Sequence, residues 1–299
     1  MKKYIAIFLG ALMLLPLASC RRDDMSPEEA RAAKRQNVFF TATMTGYEQV
    51  KSTDVSFEDG DLIGIYAQEP FDVVNAQARV KGNIVKPITP FMWEMVHTAL
   101  FIAYYPYDAS YGASPQVSFS VKTDQRTYDA YKASDLRGAV ALGKNGETVE
   151  LPFRHMLSKL TVLVNCEDKA EQVTAVTIGG VSSAVAADFS VPSVETAGGR
   201  SDIQAGKAVP GNGNEGFVAI LVPQSLNSLP LMVTTNKGQT LVFEPEKPLT
   251  FESGHAYSTS TLNVPKQGGG TAPKLSFTVS ITDWGDGGSM DFHRGKQRN

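Results

Sequence analysis

Cys20 is the residue whose neighbours specify a reaction. Leu17-Ala18-Ser19-Cys20 closes an apolar run over residues 5–15, which itself follows Lys2 and Lys3. A basic start, a short apolar stretch and small residues before a cysteine make a secretory leader, since a membrane-spanning helix needs about 20 apolar residues. The same four residues match the bacterial lipobox. Small side chains let a peptidase cut before the cysteine, whose thiol carries a diacylglyceryl group and becomes the mature N-terminus. A thioether-linked lipid plus an N-acyl chain exceeds the one chain that anchors only marginally. The sequence therefore predicts an exported chain tethered to a membrane through Cys20.

The other reactive side chains form no recognisable centre. His97, His155, His255 and His293 are widely spaced, and none has the partner three or four residues away that zinc ligands use. There is no Gly-x-Ser-x-Gly elbow, and glycine-rich residues 211–216 lack the Lys and Ser/Thr of a phosphate-binding loop. Glu58-Asp59-Gly60-Asp61, and Asp283 with Asp286 around Trp284-Gly285, offer oxygen ligands but not the full series of a calcium loop. Solvated turn acids are the simpler reading. Tyr104, Tyr105 and Tyr107, with Tyr111 nearby, are candidate ligand contacts because tyrosine rings stack on sugars. A core strand running into its exposed end explains them more simply. No catalytic residue, metal site or cofactor is expected.

The elements that position these residues are strands. Removal of the leader leaves about 280 of 299 residues, enough for two ordinary domains. With 28 basic and 31 acidic residues the chain lacks the basic excess of a nucleic-acid-binding protein. Once Cys20 is lipidated only Cys166 remains, so no internal disulfide forms and packing alone must hold the fold. Cys166 ends an apolar run and is expected to be a buried structural thiol. Residues 21–35 are charged and alanine-rich, with a capping-box arrangement at Ser26-Pro27-Glu28-Glu29, and read as a spacer.

From Val38 the period changes to two. Residues 117–121 and 275–281 alternate large apolar and hydroxyl side chains, as a half-buried antiparallel strand does. Shorter apolar runs cover residues 62–66, 99–105, 159–165, 217–222 and 231–235. Turn signals punctuate them at Asn145-Gly146, Gly179-Gly180, Gly198-Gly199, residues 211–216 and Lys237-Gly238. The pattern predicts an all-β protein of sandwiches. The expected division is a signal peptide (1–19), a lipidated tether (20–36), an N-terminal β-sandwich domain (37–146) and a C-terminal one (147–299).

Five segments together resemble the fimbrillin family of Bacteroides-type fimbrial subunits and Mfa-like lipoproteins. Phe57-Glu58-Asp59-Gly60-Asp61-Leu62-Ile63-Gly64-Ile65-Tyr66 is similar to its aromatic-x-x-Gly-Asp-x-Ile-Gly segment. Phe101-Ile102-Ala103-Tyr104-Tyr105-Pro106-Tyr107 resembles its Phe-x-Ala-Tyr-Tyr-Pro-Tyr strand end. Phe153-Arg154-His155-Met156-Leu157-Ser158-Lys159 resembles Phe-x-His-x-x-Ser-Lys, and Phe251-Glu252-Ser253-Gly254-His255-Ala256-Tyr257 resembles Phe-x-x-Gly-x-x-Tyr. Ile281-Thr282-Asp283-Trp284 agrees with the family's ending. Their order spans residues 38–292.

The resemblance implies two tandem transthyretin-like β-sandwich domains. It also implies a surface fimbrium whose subunits are lipoprotein precursors in the outer membrane, with other fimbrial subunits as partners. In such pili the first strand is cut away by an arginine-specific protease, and a segment of another subunit replaces it by strand exchange. Val38, Phe40, Ala42 and Met44 share one face here and are the candidate exchanged strand. A permanent first strand is the competing reading. The candidate processing sites are Arg35 and Lys51. Lys51 lacks the planar guanidinium that an arginine pocket grips, and a cut at Arg35 would spare the strand. These departures favour an accessory, tip or anchor subunit over a shaft subunit. The alternative is a monomeric surface lipoprotein that binds glycans or host proteins.

Overall fold

The computed structural model describes residues 36–45, 56–69, 71–93, 98–208, 215–266 and 275–284. Its first half closes a barrel. Around it run Val149–His155, Phe40–Met44, Ile84–Pro87, Val73–Lys81, Leu62–Ala67, Thr98–Tyr105 and Arg137–Lys144, which pairs again with Val149–His155. Closure leaves no free edge, and inward-facing residues alternate with outward ones along each strand. The interior is aromatic and branched aliphatic, with Phe40, Ile63, Ile65, Val80, Val85, Trp93, Phe101, Leu151 and Phe153 all buried.

The second half is a pair of sheets sharing another apolar cluster, which includes Leu160, Val162, Val176, Ile178, Val218 and Leu231. One sheet runs Gly206–Lys207, Glu215–Leu221, Ser158–Cys166, His255–Thr259 and Val279–Asp283. Leu262–Val264 pairs with Ser158–Cys166 as well. The other runs Ser193–Gln204, Val173–Asp188, Leu231–Thr235, Thr240–Pro245 and Ser276–Phe277. The all-β expectation holds, with one short helix, Tyr128–Lys132, among the described residues.

Strand pairing differs from the expected layout in three places. Val149–His155 lies beyond the expected boundary at residue 147, yet it pairs with Phe40–Met44 and belongs to the barrel. The chain passes to the sheets at Met156 and Leu157. Gln116–Ser120 lies before that boundary but pairs with Val173–Asp188 of the second half. Between this strand and Arg137 the chain packs on the sheets, where the Gln125 side chain accepts from Ile220 N–H at 2.7 Å and donates to its carbonyl at 2.9 Å. Finally, the alternating residues 275–281 are split. Ser276–Phe277 pairs with Thr240–Pro245, and Val279–Asp283 with His255–Thr259, so the segment changes sheet at Thr278. Alternation fixes which face a side chain takes, not which strand lies beside it.

Gly179-Gly180 and Gly198-Gly199 are not turns. They lie inside the long hairpin of Val173–Asp188 and Ser193–Gln204, where the register shifts. Gly198 has φ +88°, the left-handed region a bulge uses and a side chain resists. Asn145-Gly146 and Lys237-Gly238 do make turns, each with a positive-φ glycine. Cys166 is buried, as expected. Burial, reinforced by nearby Glu215 and Glu171, pushes its thiol pKa up.

Candidate functional site

The site is the slot that holds the first strand. Phe40–Met44 runs parallel to Val149–His155, with Phe40 opposite Val149 and Met44 opposite Phe153. On its other side it runs antiparallel to Ile84–Pro87, with Phe40 opposite Val85. Backbone bonds extend the ladder at both ends. Val38 N–H donates to Phe91 at 2.9 Å, Ala42 to Asn83 at 2.8 Å and Thr45 to Phe153 at 2.8 Å.

The candidate exchange residues take the expected face. Val38, Phe40 and Ala42 are buried and Met44 is half-buried, whereas Phe39 is 64% exposed. The Phe40 ring stands edge-on to Phe91 at 5.6 Å and to Phe101 at 5.0 Å, the arrangement aromatic quadrupoles favour.

Arg137 secures the slot's exit. Its Nη1 lies 3.9 Å from Met44 Sδ and donates to the Ser56 carbonyl at 3.2 Å, so one guanidinium touches the chain on either side of residues 46–55. It also lies 5.1 Å from the centre of the Phe57 ring and 5.3 Å from that of Tyr105, and Phe57 packs edge-on to Phe153 at 4.9 Å.

A buried charge needs a counter-charge. Asp135 supplies it, meeting Arg137 Nε at 2.8 Å and Nη2 at 2.6 Å, while its other oxygen meets His155 Nδ1 at 2.6 Å. Burial would raise the Asp135 pKa, but the Arg137 cation and the bonds to His155 outweigh it and hold it at about 2. The His155 ring lies flat on Trp284, with centres 3.9 Å apart, and the Trp284 backbone N–H donates to the Gly254 carbonyl. His155 is thus a structural strand residue that joins barrel, sheets and the last described strand. His155 was marked by its segment, but Asp135 and Arg137 were not, because charged residues between apolar runs look like loop.

The acidic turn holds a cation, and the cation is a lysine. Gly60 has φ +98°, and Asp61 N–H bonds Glu58 at 3.0 Å to close the turn. Lys132 Nζ, from the short helix, lies 2.6 Å from Glu58 and 2.5 Å from Asp61. Asp59 accepts from Gly82 N–H at 2.6 Å. Among the described residues no three His, Cys, Asp or Glu side chains converge as metal ligands would.

Two of the three candidate ligand-contact tyrosines are interior. Tyr104 is fully buried, stacks on Phe189 at 4.5 Å and donates its hydroxyl to Asn75 at 2.6 Å. Its ring also fills the space over Gly64, where a Cβ would lie 1.9 Å from Tyr104 Cε1. Tyr105 is buried between Phe57 and Arg137. Burial, first of all, raises the hydroxyl pKa of both. Neither offers a ring face to a sugar, and only Tyr107 is partly exposed. Cys20, Arg35 and Lys51, the leader, the tether up to Arg35, His97 and His293 lie outside the described residues.

Comparison with known proteins places the fold. A model of fimbrillin-like proteins matches residues 50–284. A solved structure of a candidate cell adhesion protein from Bacteroides uniformis is 19% identical, with a TM-score of 0.63 over 84% of this chain and 99% of its own. Another from Bacteroides ovatus is 16% identical, with a TM-score of 0.64 over 88% and 99%. Identities this low carry the fold alone. No curated protein matches the chain. The family match covers the paired sheets and every barrel strand except Phe40–Met44, and includes the segments around Gly64, Tyr104, His155 and Trp284. The chain belongs to the fimbrillin-like family, whose members are structural proteins of fimbriae rather than enzymes.

Proposed function

We propose that the protein is an accessory, tip or anchor subunit of a cell-surface fimbrium, made as an outer-membrane lipoprotein on Cys20 and assembled by exchange of its first strand. The observation that carries this reading is the slot itself. A five-residue strand near the start of the described chain fills a gap between two others and supplies buried side chains from Phe40 and Ala42, with Val38 buried just before it. A strand added between two edges gains affinity from main-chain bonds and specificity from pockets for alternate side chains. Ser56 and Phe57, beyond residues 46–55, are held by Arg137 and Phe153 independently of that strand. A cut near Lys51 would therefore free the strand and leave the barrel's other contacts in place. We read the barrel with its slot and the paired sheets as the two tandem domains. The burial of Tyr104 and Tyr105 speaks against the glycan-binding monomer.

The test is mass spectrometry and sizing of mature surface material. The reading expects loss of residues 38–45, or retention of lipidated Cys20 in an anchor position, with the chain in a high-mass assembly in either case. A lipidated, uncut chain that stays monomeric among polymerising partners overturns it.

A further inference from the structure

Of six large apolar side chains exposed in the barrel half of the described chain, four lie close together: Phe39 at 64% exposure, Ile84 at 60%, Ile88 at 59% and Met92 at 40%; Val74 and Leu142 lie apart from them in strand register. Strand register brings the four together. Ile84 lies opposite Thr41, two residues after Phe39, and Met92 opposite Asn37, two residues before it. Ile88 N–H bonds the Gln77 carbonyl of the next strand. Side chains two apart on a strand share a face, so this is one patch and not scattered exposure.

Cations interleave with it. Lys81 stands opposite Ile84 and Arg79 opposite Lys86, and the register that pairs Phe40 with Val85 continues to set Lys86 beside Phe39. All three are exposed, and none makes an ion pair among the described residues. Two acids stand at its rim, Asp59 accepting from Gly82 N–H and Glu150 from the Thr43 hydroxyl, against three cations.

We propose that this face rests on an anionic membrane surface. Apolar side chains ringed by Lys and Arg suit the headgroup–acyl boundary, where the first enter the hydrocarbon edge and the second meet negative headgroups. The position in the chain agrees. Phe39 is 19 residues from Cys20, so the patch includes the first part of the described chain to follow the proposed lipid. The biological setting rests on that lipidation reading, but the affinity of the patch does not. The lipid tethers the protein and the patch orients it, laying the barrel against the bilayer.

The test uses the unlipidated chain from Arg21, sedimented with vesicles of phosphatidylcholine alone or mixed with phosphatidylglycerol. The expected result is binding to the mixed vesicles that weakens as salt screens the cations. Phe39→Ser with Ile84→Ser should lower the bound fraction about tenfold or more, since each removes a large apolar group from the contact. Lys81→Gln with Lys86→Gln should remove the preference for charged vesicles. Circular dichroism checks that both variants are folded. The proposal fails if the parent chain ignores both vesicle types or if the variants bind as it does. It also fails if the parent is a dimer that the Phe39→Ser, Ile84→Ser variant dissociates, because a second copy would then cover the patch. Mass spectrometry of Cys20 in membranes tests the tether separately. An unacylated Cys20 overturns the lipoprotein reading while the vesicle result stands.

Discussion

Phe39 and Phe40 are neighbours of the same residue type, and the structure assigns them opposite fates. Phe40 is 2% exposed and meets Phe91 and Phe101 edge-on inside the barrel; Phe39 is 64% exposed. Replacing a buried phenylalanine by alanine costs about 3–5 kcal/mol, through lost transfer free energy and the cavity left behind. Against a total stability of about 5–15 kcal/mol this is a large fraction. Phe39→Ala should change stability by no more than about 0.5 kcal/mol, the ordinary effect at a surface position. Urea unfolding followed by tryptophan fluorescence measures both, because Trp93 lies in the barrel core 6.0 Å from Phe101. Hydrogen exchange adds the local view: Phe40→Ala should accelerate exchange over residues 40–44 ahead of the rest of the barrel. Equal costs for the two variants, or less than about 1 kcal/mol for Phe40→Ala, would show that the strand does not fill the slot in this register.

Four further outcomes follow from the packing. Asp135 has a folded pKa of about 2 against an ordinary 3.8, so it favours the fold above pH 4 and loses that contribution as pH falls toward 2. The contribution is about 2 kcal/mol, and urea midpoints measured down an acid series should show the loss. Asp135→Asn should remove that acid dependence and cost about 3–5 kcal/mol at neutral pH, since it breaks a buried ion pair from one side. Lys132→Ala should cost only about 1 kcal/mol, less at high salt, because its pairs with Glu58 and Asp61 are partly exposed; double-mutant cycles with Glu58→Gln isolate the term. Gly64→Ala should cost about 1–3 kcal/mol by driving a methyl group into the Tyr104 ring, read as a lower thermal midpoint.

The chain's alternation made much of this legible. Residues 38–44 displayed their inward and outward faces, and the apolar runs at residues 62–66 and 99–105 became barrel strands. The partners stayed hidden, because a ladder between Phe40 and Val149 joins residues more than a hundred positions apart and leaves no local mark. The glycine pairs show the same limit. One residue type serves a tight turn at Gly146 and a bulge at Gly198, and only the pairing separates them. The tyrosine cluster was visible as composition, but its burial depends on Phe189 and Asn75 from distant segments. Asp135 and Arg137 were silent for a different reason. Charge normally marks solvent, and the pairing that lets it be buried is set by the fold.

The two walls of the slot are unlike. Val149–His155 takes its guest running the same way, and Ile84–Pro87 takes it running the opposite way. A strand from outside satisfies both ladders only in the orientation of the one it replaces. If the first strand is exchanged between chains as proposed, a row of them would have a front and a back, and a fibre built from them would carry an arrow along its length, with one end able to receive and the other only to give.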